Sequence, residues 1–368
     1  AIANYLKDWC EENGYDLYSS GLKIYTTIDT RMQKYAEDAA KKQMKQVQQN
    51  FNNHWGIYRN QTSNWLRQDP WQDENHQVIP NFIQQIAERQ PFYKALLARF
   101  PNNPDSVNYY YKEWKHPVKV FDYDKGTITK EMTSEDSIKY MTTFMHCAFV
   151  AMEPQTGAVK AWVGDIDFNS WKYDKVTAMR QPGSTFKLFV YTEAMNQGLT
   201  PCDKRRDEYI SMQVYDKKQH KEVTWTPRNA NGSFSGDSIP LKSAFAKSIN
   251  SVAVRLGQEM GIKRIIETAK KMGITSPLDD EPSLALGSSD VTLLQMVNAY
   301  CVIADNGKHH DPVLVTRILD KDGNEIYVGP TKSEQVIPYK SAFLMQQMLQ
   351  GGLREPGGTS QSLLGYVG

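Results

Sequence analysis

The chain is poor in cysteine, and the cysteines it has are unpaired by pattern. Cys10, Cys147, Cys202 and Cys301 lie far apart, with no Cys-x-x-Cys, which excludes a zinc knuckle or a dithiol redox pair. Cys147 and Cys301 fall in apolar segments and read as core residues, and one disulfide stays open. The seven histidines contain no His-x-x-x-His. His309-His310 follows Asn306-Gly307 and reads as a surface loop, so neither a metal nor a cofactor is expected. An excess of charge of one sign is missing too. With 43 Lys and Arg against 42 Asp and Glu, the net charge is +1 over 368 residues. Nucleic acid as the main partner would want a concentrated basic face. No run of eighteen apolar residues occurs, so nothing reads as a transmembrane helix. The N-terminus, Ala1 to Cys10, lacks a signal-peptide pattern and reads as the middle of a processed chain. No internal repeat is visible.

What is present is length enough for two or three domains and a sizeable core. Residues 4–20 read as a short helix and 21–28 as a strand. Asp29 or Thr30 then caps a helix to about Asn50, whose Gln-rich end is expected to project into solvent. Residues 51–145 differ in composition: Trp55, Trp65, Trp71 and Trp114 are half of the 8 tryptophans, and Tyr109-Tyr110-Tyr111 joins them. They read as the core of a small domain in preference to a glycan-stacking surface, since a small domain needs the area aromatics bury. Hairpins are expected at 118–131, at 147–167 around Glu153–Gly157, and at 313–328 around Asp322-Gly323. An irregular polar segment covers 198–238. Helices follow from 240 on, one capped by Asp290 and ended at Asn306-Gly307, and a last one over 338–350.

One stretch carries chemistry: Arg180-Gln181-Pro182-Gly183-Ser184-Thr185-Phe186-Lys187. Phe186, Phe189, Val190 and Ala194 recur at the helical period and give one apolar face, and Pro182-Gly183 marks the start. Ser184 and Lys187 are three apart and share a helix face. A hydroxyl needs a neighbour to take its proton, and burial eases the loss of a proton from an amine. Free N–H groups at a helix start suit a developing oxyanion. Together these are the parts of an acyl-transfer site. Ser-x-x-Lys is expected about once by chance in such a chain, and a second copy, Ser20-Gly21-Leu22-Lys23, leads into a strand, where residues three apart face opposite sides.

In its motifs the chain resembles the transpeptidase region of a class A, bifunctional penicillin-binding protein. Arg180–Lys187 is similar to the family's nucleophile motif. Ser248-Ile249-Asn250, 64 residues on (248 − 184), resembles its Ser-x-Asn motif in the setting of Leu241–Lys247 and Ser251–Leu256. Ser106-Val107-Asn108 is a decoy without that setting. Glu153–Gly157, Trp225–Asn229, Ala285-Leu286-Gly287 and Asp290–Met296 also look like family landmarks, and Gly21–Asp29 looks like the linker that joins glycosyltransferase and transpeptidase domains. Expected boundaries are a linker segment over 1–50, an inserted aromatic-rich domain over 51–145, and a transpeptidase domain over 146–368. The fold implied is α+β, penicillin-binding-protein/β-lactamase-like. One antiparallel sheet would form from the 148–163 and 313–328 hairpins, with helices on both faces and the Ser184 helix buried centrally.

The resemblance implies periplasmic peptidoglycan cross-linking by a membrane-anchored protein, with partner proteins of cell-wall synthesis. Its substrate would be a stem peptide ending in D-Ala-D-Ala. Ser184 would be the nucleophile, Lys187 its proton acceptor, Ser248 a proton relay and Asn250 a hydrogen-bonding residue. Gln181, Gly183 and Trp225 are the substrate-binding candidates. β-Lactam antibiotics would trap Ser184. One departure stands out: the third family motif, Lys-Thr-Gly or Lys-Ser-Gly, is missing. Lys332-Ser333-Glu334 fails because the glycine is needed for close backbone approach. The chain is therefore expected to be a fragment with little or no turnover as it stands. Two other readings remain: a non-catalytic module of the same fold that binds peptidoglycan or a partner protein, and a β-lactamase or β-lactam sensor, for which no deacylating Glu is placed by motif.

Overall fold

The computed structural model describes residues 2–55, 70–73, 77–216 and 220–366. Trp65 lies outside them. The chain divides into two compact units, one of residues 1–33, 149–162 and 175–368, the other of 34–148 and 163–174.

The larger unit is built around the Lys187–Asn196 helix. The expected single apolar face is an underestimate: every residue from Lys187 to Met195 is buried. Phe186, Leu188, Phe189 and Tyr191 pack into one cluster with Val252, Leu256, Ile265, Met272 and Met345. Each such side chain contributes about 1.5–3 kcal/mol when fully buried. Such a helix cannot move without opening the whole core. The helices Asn250–Met260, Ile262–Lys271 and Tyr339–Arg354 pack against it. Thr292, and not Asp290, caps the Leu293–Ala304 helix, in a reciprocal capping box with Gln295. Thr wins because its hydroxyl sits where the N3 amide points, two residues nearer the helix than Asp290.

The expected single sheet is divided. Phe149–Met152 and Val159–Val163 form one two-stranded sheet, while Lys23–Thr26, Val315–Leu319 and Glu325–Val328 form a three-stranded one with Val315–Leu319 central. A parallel bridge, Ala158 to Val313, connects them. Thr27 reinforces the junction: its hydroxyl lies 2.7 Å from both Val159 O and Val313 O. Gly157 closes the first hairpin at φ 72, and a Cβ there would collide with the Asp311 backbone. The segment read as irregular holds two short ladders, Lys204–Arg206 with Ser238–Pro240 and Met212–Asp216 with Lys221–Trp225. They escaped notice because their strands are only three to five residues long. His309 and His310 are likewise in a strand, Lys308–His310, paired with Ser333–Gln335. Lys332-Ser333-Glu334 thus starts a short outer strand. All four cysteines are free thiols.

In the smaller unit aromatics do form core, but of those singled out in the sequence only Tyr111 is buried among the described residues. Phe121, Tyr140 and Phe144 cluster with Val120, Met44 and Ile166, and Tyr93 and Tyr111 with Ala87 and Val107. Tyr109 and Trp114 stay exposed. At the Gln-rich end of the Thr30–Trp55 helix Gln46 and Gln49 face solvent as expected, but Gln48 does not. Gln48 is buried, and its amide donates to Thr143 O at 2.9 Å and accepts from Met145 N at 2.8 Å. A glutamine can be buried at a polar helix end when its amide satisfies a neighbouring backbone. The Ser106–Asn108 decoy lies in this unit, in the short helix Pro104–Asn108.

Candidate active site

Ser184 sits in a 3-10 turn, Gly183–Phe186, that feeds directly into the Lys187–Asn196 helix. It is exposed, while Lys187 three residues on is 1% exposed. The sequence thus places the hydroxyl at the surface and the amine inside. The loop before the turn is pinned on several sides. Arg180 and Val291 exchange both backbone hydrogen bonds, at 3.0 and 2.9 Å. The Gln181 amide donates to Ser288 O at 3.0 Å, and the Tyr300 hydroxyl donates to Thr185 O at 3.2 Å. Gly183 has φ 57, where glycine carries no Cβ penalty. Gly287 faces it so closely that an added Cβ would lie 2.7 Å from Gly183 N and closer still to its carbonyl oxygen.

The buried amine reaches across to the second motif. Lys187 Nζ donates to Ser248 O at 2.8 Å, Ser248 Oγ at 3.0 Å and Asn250 Oδ1 at 2.6 Å. Ser248 makes this possible by adopting φ 56, a left-handed conformation rare for a residue with a Cβ. That conformation turns its carbonyl and its hydroxyl toward the same amine. Strain of this kind persists only where the surroundings over-determine it; here Ser248 N–H bonds Phe245 O and Ile249 N–H bonds Ala244 O. A direct hydrogen bond between Ser184 and Lys187 is not among those formed by the described residues. Two of the atoms facing Lys187, Ser248 O and Asn250 Oδ1, can only accept, so they outcompete a hydroxyl that water can serve. Catalytic hydrogen bonds are often long before substrate arrives.

Burial pushes the Lys187 ammonium down to about 8 from the ordinary lysine value, with no charged partner contributing. A neutral amine has two N–H groups and one lone pair. It can donate to Ser248 O and Asn250 Oδ1 and accept from the Ser248 hydroxyl, the one group in the set able to reverse its role. The constellation can therefore hold a proton at either Lys187 or Ser248.

Of the other expected residues, Gly183 and Gln181 shape the nucleophile loop by backbone and amide contacts. Trp225 ends a strand, partly buried against the main core. Ser20 of the decoy motif instead accepts from Asp16 N at 2.8 Å. Asp207 was missed in the sequence, and Gly287 and Asn229 were singled out only as parts of landmarks. Asn229 has a definite task. It accepts from the N–H groups of Asn250 and Ser251 at 3.0 and 3.2 Å. No His, Cys, Asp and Glu cluster suited to a metal occurs among the described residues.

Comparison with known proteins gives the family. A family model described as penicillin binding protein transpeptidase domain matches residues 147–367, and one described as penicillin-binding protein middle domain matches residues 66–145. Penicillin-binding protein 2D of Bacillus subtilis is 37% identical over 204 residues, covering 55% of this chain and 29% of that protein. Penicillin-binding protein 1A of Neisseria lactamica is 28% identical over 381 residues, covering 96% of this chain and 46% of that protein. The chain thus spans less than half the length of these relatives. The fold matches penicillin-binding protein 1A from Haemophilus influenzae with a TM-score of 0.66 at 19% identity, over 100% of this chain and 60% of that one. With the nucleophile motif, the Ser-x-Asn motif and the α+β fold in one unit, the chain belongs to the penicillin-binding protein transpeptidase family, among relatives of the class A kind.

Proposed function

We propose that this region is the acylating part of a peptidoglycan D,D-transpeptidase. The observation that carries the reading is the buried Lys187 amine, one helical turn from the exposed Ser184 and tied to Ser248 Oγ and Asn250 Oδ1. Ser184 Oγ attacks the carbonyl carbon of the penultimate D-Ala of a stem peptide, and its proton passes to neutral Lys187. In this reading the developing oxyanion is assigned to the start of the 3-10 turn. The peptide C–N bond breaks, and D-Ala leaves as an amine that takes the proton through the Ser248 hydroxyl. An amine of a neighbouring stem then attacks the Ser184 ester, and Ser184 recovers its proton. A β-lactam undergoes the first step, but its leaving nitrogen stays tethered. Support comes from the relatives' names and from a protein of the same fold, PonA1 from Mycobacterium tuberculosis (TM-score 0.53), solved in complex with penicillin V. The whole protein would be bifunctional, with a glycosyltransferase domain and a membrane anchor, working on the periplasmic face of the bacterial cytoplasmic membrane with partner proteins of cell-wall synthesis. Among the described residues no helix is long and apolar enough to cross a membrane.

The test is chemical. Incubation of the full-length protein with a labelled penicillin is expected to leave one covalent adduct, mapped by peptide mass spectrometry to Ser184. An adduct elsewhere, or none, ends the reading. The second reading, a non-catalytic binding module, predicts no adduct.

The acylation rate is expected to rise with pH and level off above about 8, where Lys187 loses its proton. At pH 7 roughly a tenth of such an amine is neutral, against about three in ten thousand at the ordinary lysine value. Stability follows the same sign. Between about pH 8 and the ordinary lysine range the unfolded chain binds more protons at this position, so stability rises with pH through that window. A pH-independent acylation rate between 6 and 9 would remove Lys187 as the base.

A further inference from the structure

Ser248 and Asn250 hold Lys187, yet their own support comes from far along the chain. The Asn250–Met260 helix begins without a side-chain cap from its own preceding residue. Its first free N–H groups are taken instead by Asn229 Oδ1, which answers the orphan donors every helix start presents. Arg228 O accepts from Asn250 Nδ2 at 2.8 Å. That fixes the Asn250 amide with its oxygen toward Lys187.

Asn229 can show its oxygen to the helix only if its NH2 group has acceptors on the other side. These are Ser233 O at 2.9 Å and Asp207 Oδ1 at 2.8 Å. Asp207 is 4% exposed. Its Oδ1 also accepts from Ser251 Oγ at 2.6 Å, and its Oδ2 from Ser235 N at 2.9 Å. Burial pushes its carboxyl up, but the hydrogen bonds from Ser251, Ser235 and Asn229 outweigh this and hold it below the usual carboxylate range. Among the described residues it forms no salt bridge, so nothing in a plain charge-pairing account explains a buried anion here. Its negative charge stands at the start of the Asn250–Met260 helix, where the dipole favours it.

We propose that Asp207 is a positioning residue for acylation, fixing the Asn229 amide and through it the start of the helix that aims Asn250 at Lys187. The proposal rests on Lys187 being the base. Asp207 acts at two removes: it touches neither the amine nor the nucleophile, but it decides which way Asn229 faces. An amide at 207 has one acceptor oxygen and cannot serve both sides of the carboxylate. When that oxygen takes the Ser235 N–H, which can only donate, the NH2 group faces Asn229; Asn229 then loses its reason to keep its oxygen on the helix, and Asn250 is freed to turn.

The experiment uses the full-length protein and a fluorescent penicillin, with acylation rates measured from pH 6 to 9 beside thermal melts. Asp207→Asn is expected to slow acylation by roughly tenfold to a hundredfold while shifting the melting temperature by only a few degrees. The acid limb of its pH profile should move to lower pH, because Lys187 loses an acceptor that favours its charged form. A merely structural role would not move that limb. Asp207→Ala supplies the second arm. Asp207 borders a cavity of about 740 Å3 with Asn231, Ser235 and Lys247, wide enough for formate to enter. Added formate should restore part of the lost rate, and chloride none of it. The proposal is overturned if Asp207→Asn labels at the unmodified rate with an unmoved pH profile. It is equally overturned if Asp207→Ala loses rate only in step with its loss of fold and formate restores nothing. Those outcomes leave the acyl-enzyme reading intact; labelling that survives in Ser184→Ala would sink that reading instead.

Discussion

Lys187→Met is expected to slow acylation of Ser184 by penicillin by roughly a thousandfold, within the range of a lost general base. Methionine fills nearly the same buried volume, so the surrounding core from Phe186 to Met345 keeps its packing. Its effect on stability is a balance. The buried amine no longer has to be desolvated, but Ser248 O and Asn250 Oδ1 lose their donor, at about 1–3 kcal/mol each where water cannot reach them. The melting temperature should therefore move far less than the rate. Lys187→Arg makes the complementary test. Guanidinium keeps the charge and the donors but stays protonated throughout the accessible pH range, so acylation stays slow up to pH 9. It is also too large for a site where Lys187 is 1% exposed, and it should lower the melting temperature more than methionine. Second-order acylation constants for both variants check the pair. A Lys187→Met protein that labels within a few fold of the unmodified rate would take Lys187 out of the mechanism.

Gly287→Ala should cost nearly as much without touching the nucleophile or the base. Gly287 has φ 76, and a side chain in such a conformation costs about 1–3 kcal/mol. The added methyl also meets Gly183 N at 2.7 Å and Gly183 C at 2.8 Å. Backbone atoms on both sides leave no flexible side chain to give way, so the 183 turn must shift. A displacement of about 1 Å at the reacting group is enough for roughly a hundredfold loss, and that is the expected fall in acylation rate. Gly126→Ala serves as the control. It has φ 71 in a surface turn of the other unit, with open space where the methyl would go. Its stability should fall by a similar backbone term while labelling proceeds at the unmodified rate. Equal labelling by Gly287→Ala and Gly126→Ala would show that the close approach does not govern the nucleophile.

Ser184 and Lys187 were legible in the sequence because the relation between them is local. Three residues apart near a helix start is a statement about backbone geometry, and the burial of Lys187 follows from the apolar residues on either side of it. Ser248 and Asn250 were legible only through resemblance, since Ser-x-Asn is too short to stand out. The left-handed turn at Ser248 could not be read at all: no glycine or asparagine marks it, and tertiary contacts impose it. Asp207 was hidden for another reason. Its partners lie 22, 28 and 44 residues away, at Asn229, Ser235 and Ser251, and a lone acid in a polar segment looks like ordinary surface. The sheet division and the burial of Gln48 also arise from long-range satisfaction of backbone groups, by Thr27 and by a side-chain amide, which periodicity does not encode.

Among the described residues the Lys23–Thr26 strand has one partner, Val315–Leu319, nearly three hundred residues later. During synthesis from the N-terminus it must therefore wait. At typical ribosomal speeds of about 5–20 residues per second, the delay before Leu319 emerges is on the order of a quarter of a minute to a minute. Throughout that interval both of its edges are open to other chains. Lys23, Tyr25 and Thr26, which stay exposed even after pairing, give the waiting strand a largely hydrophilic surface that discourages capture by another nascent polypeptide.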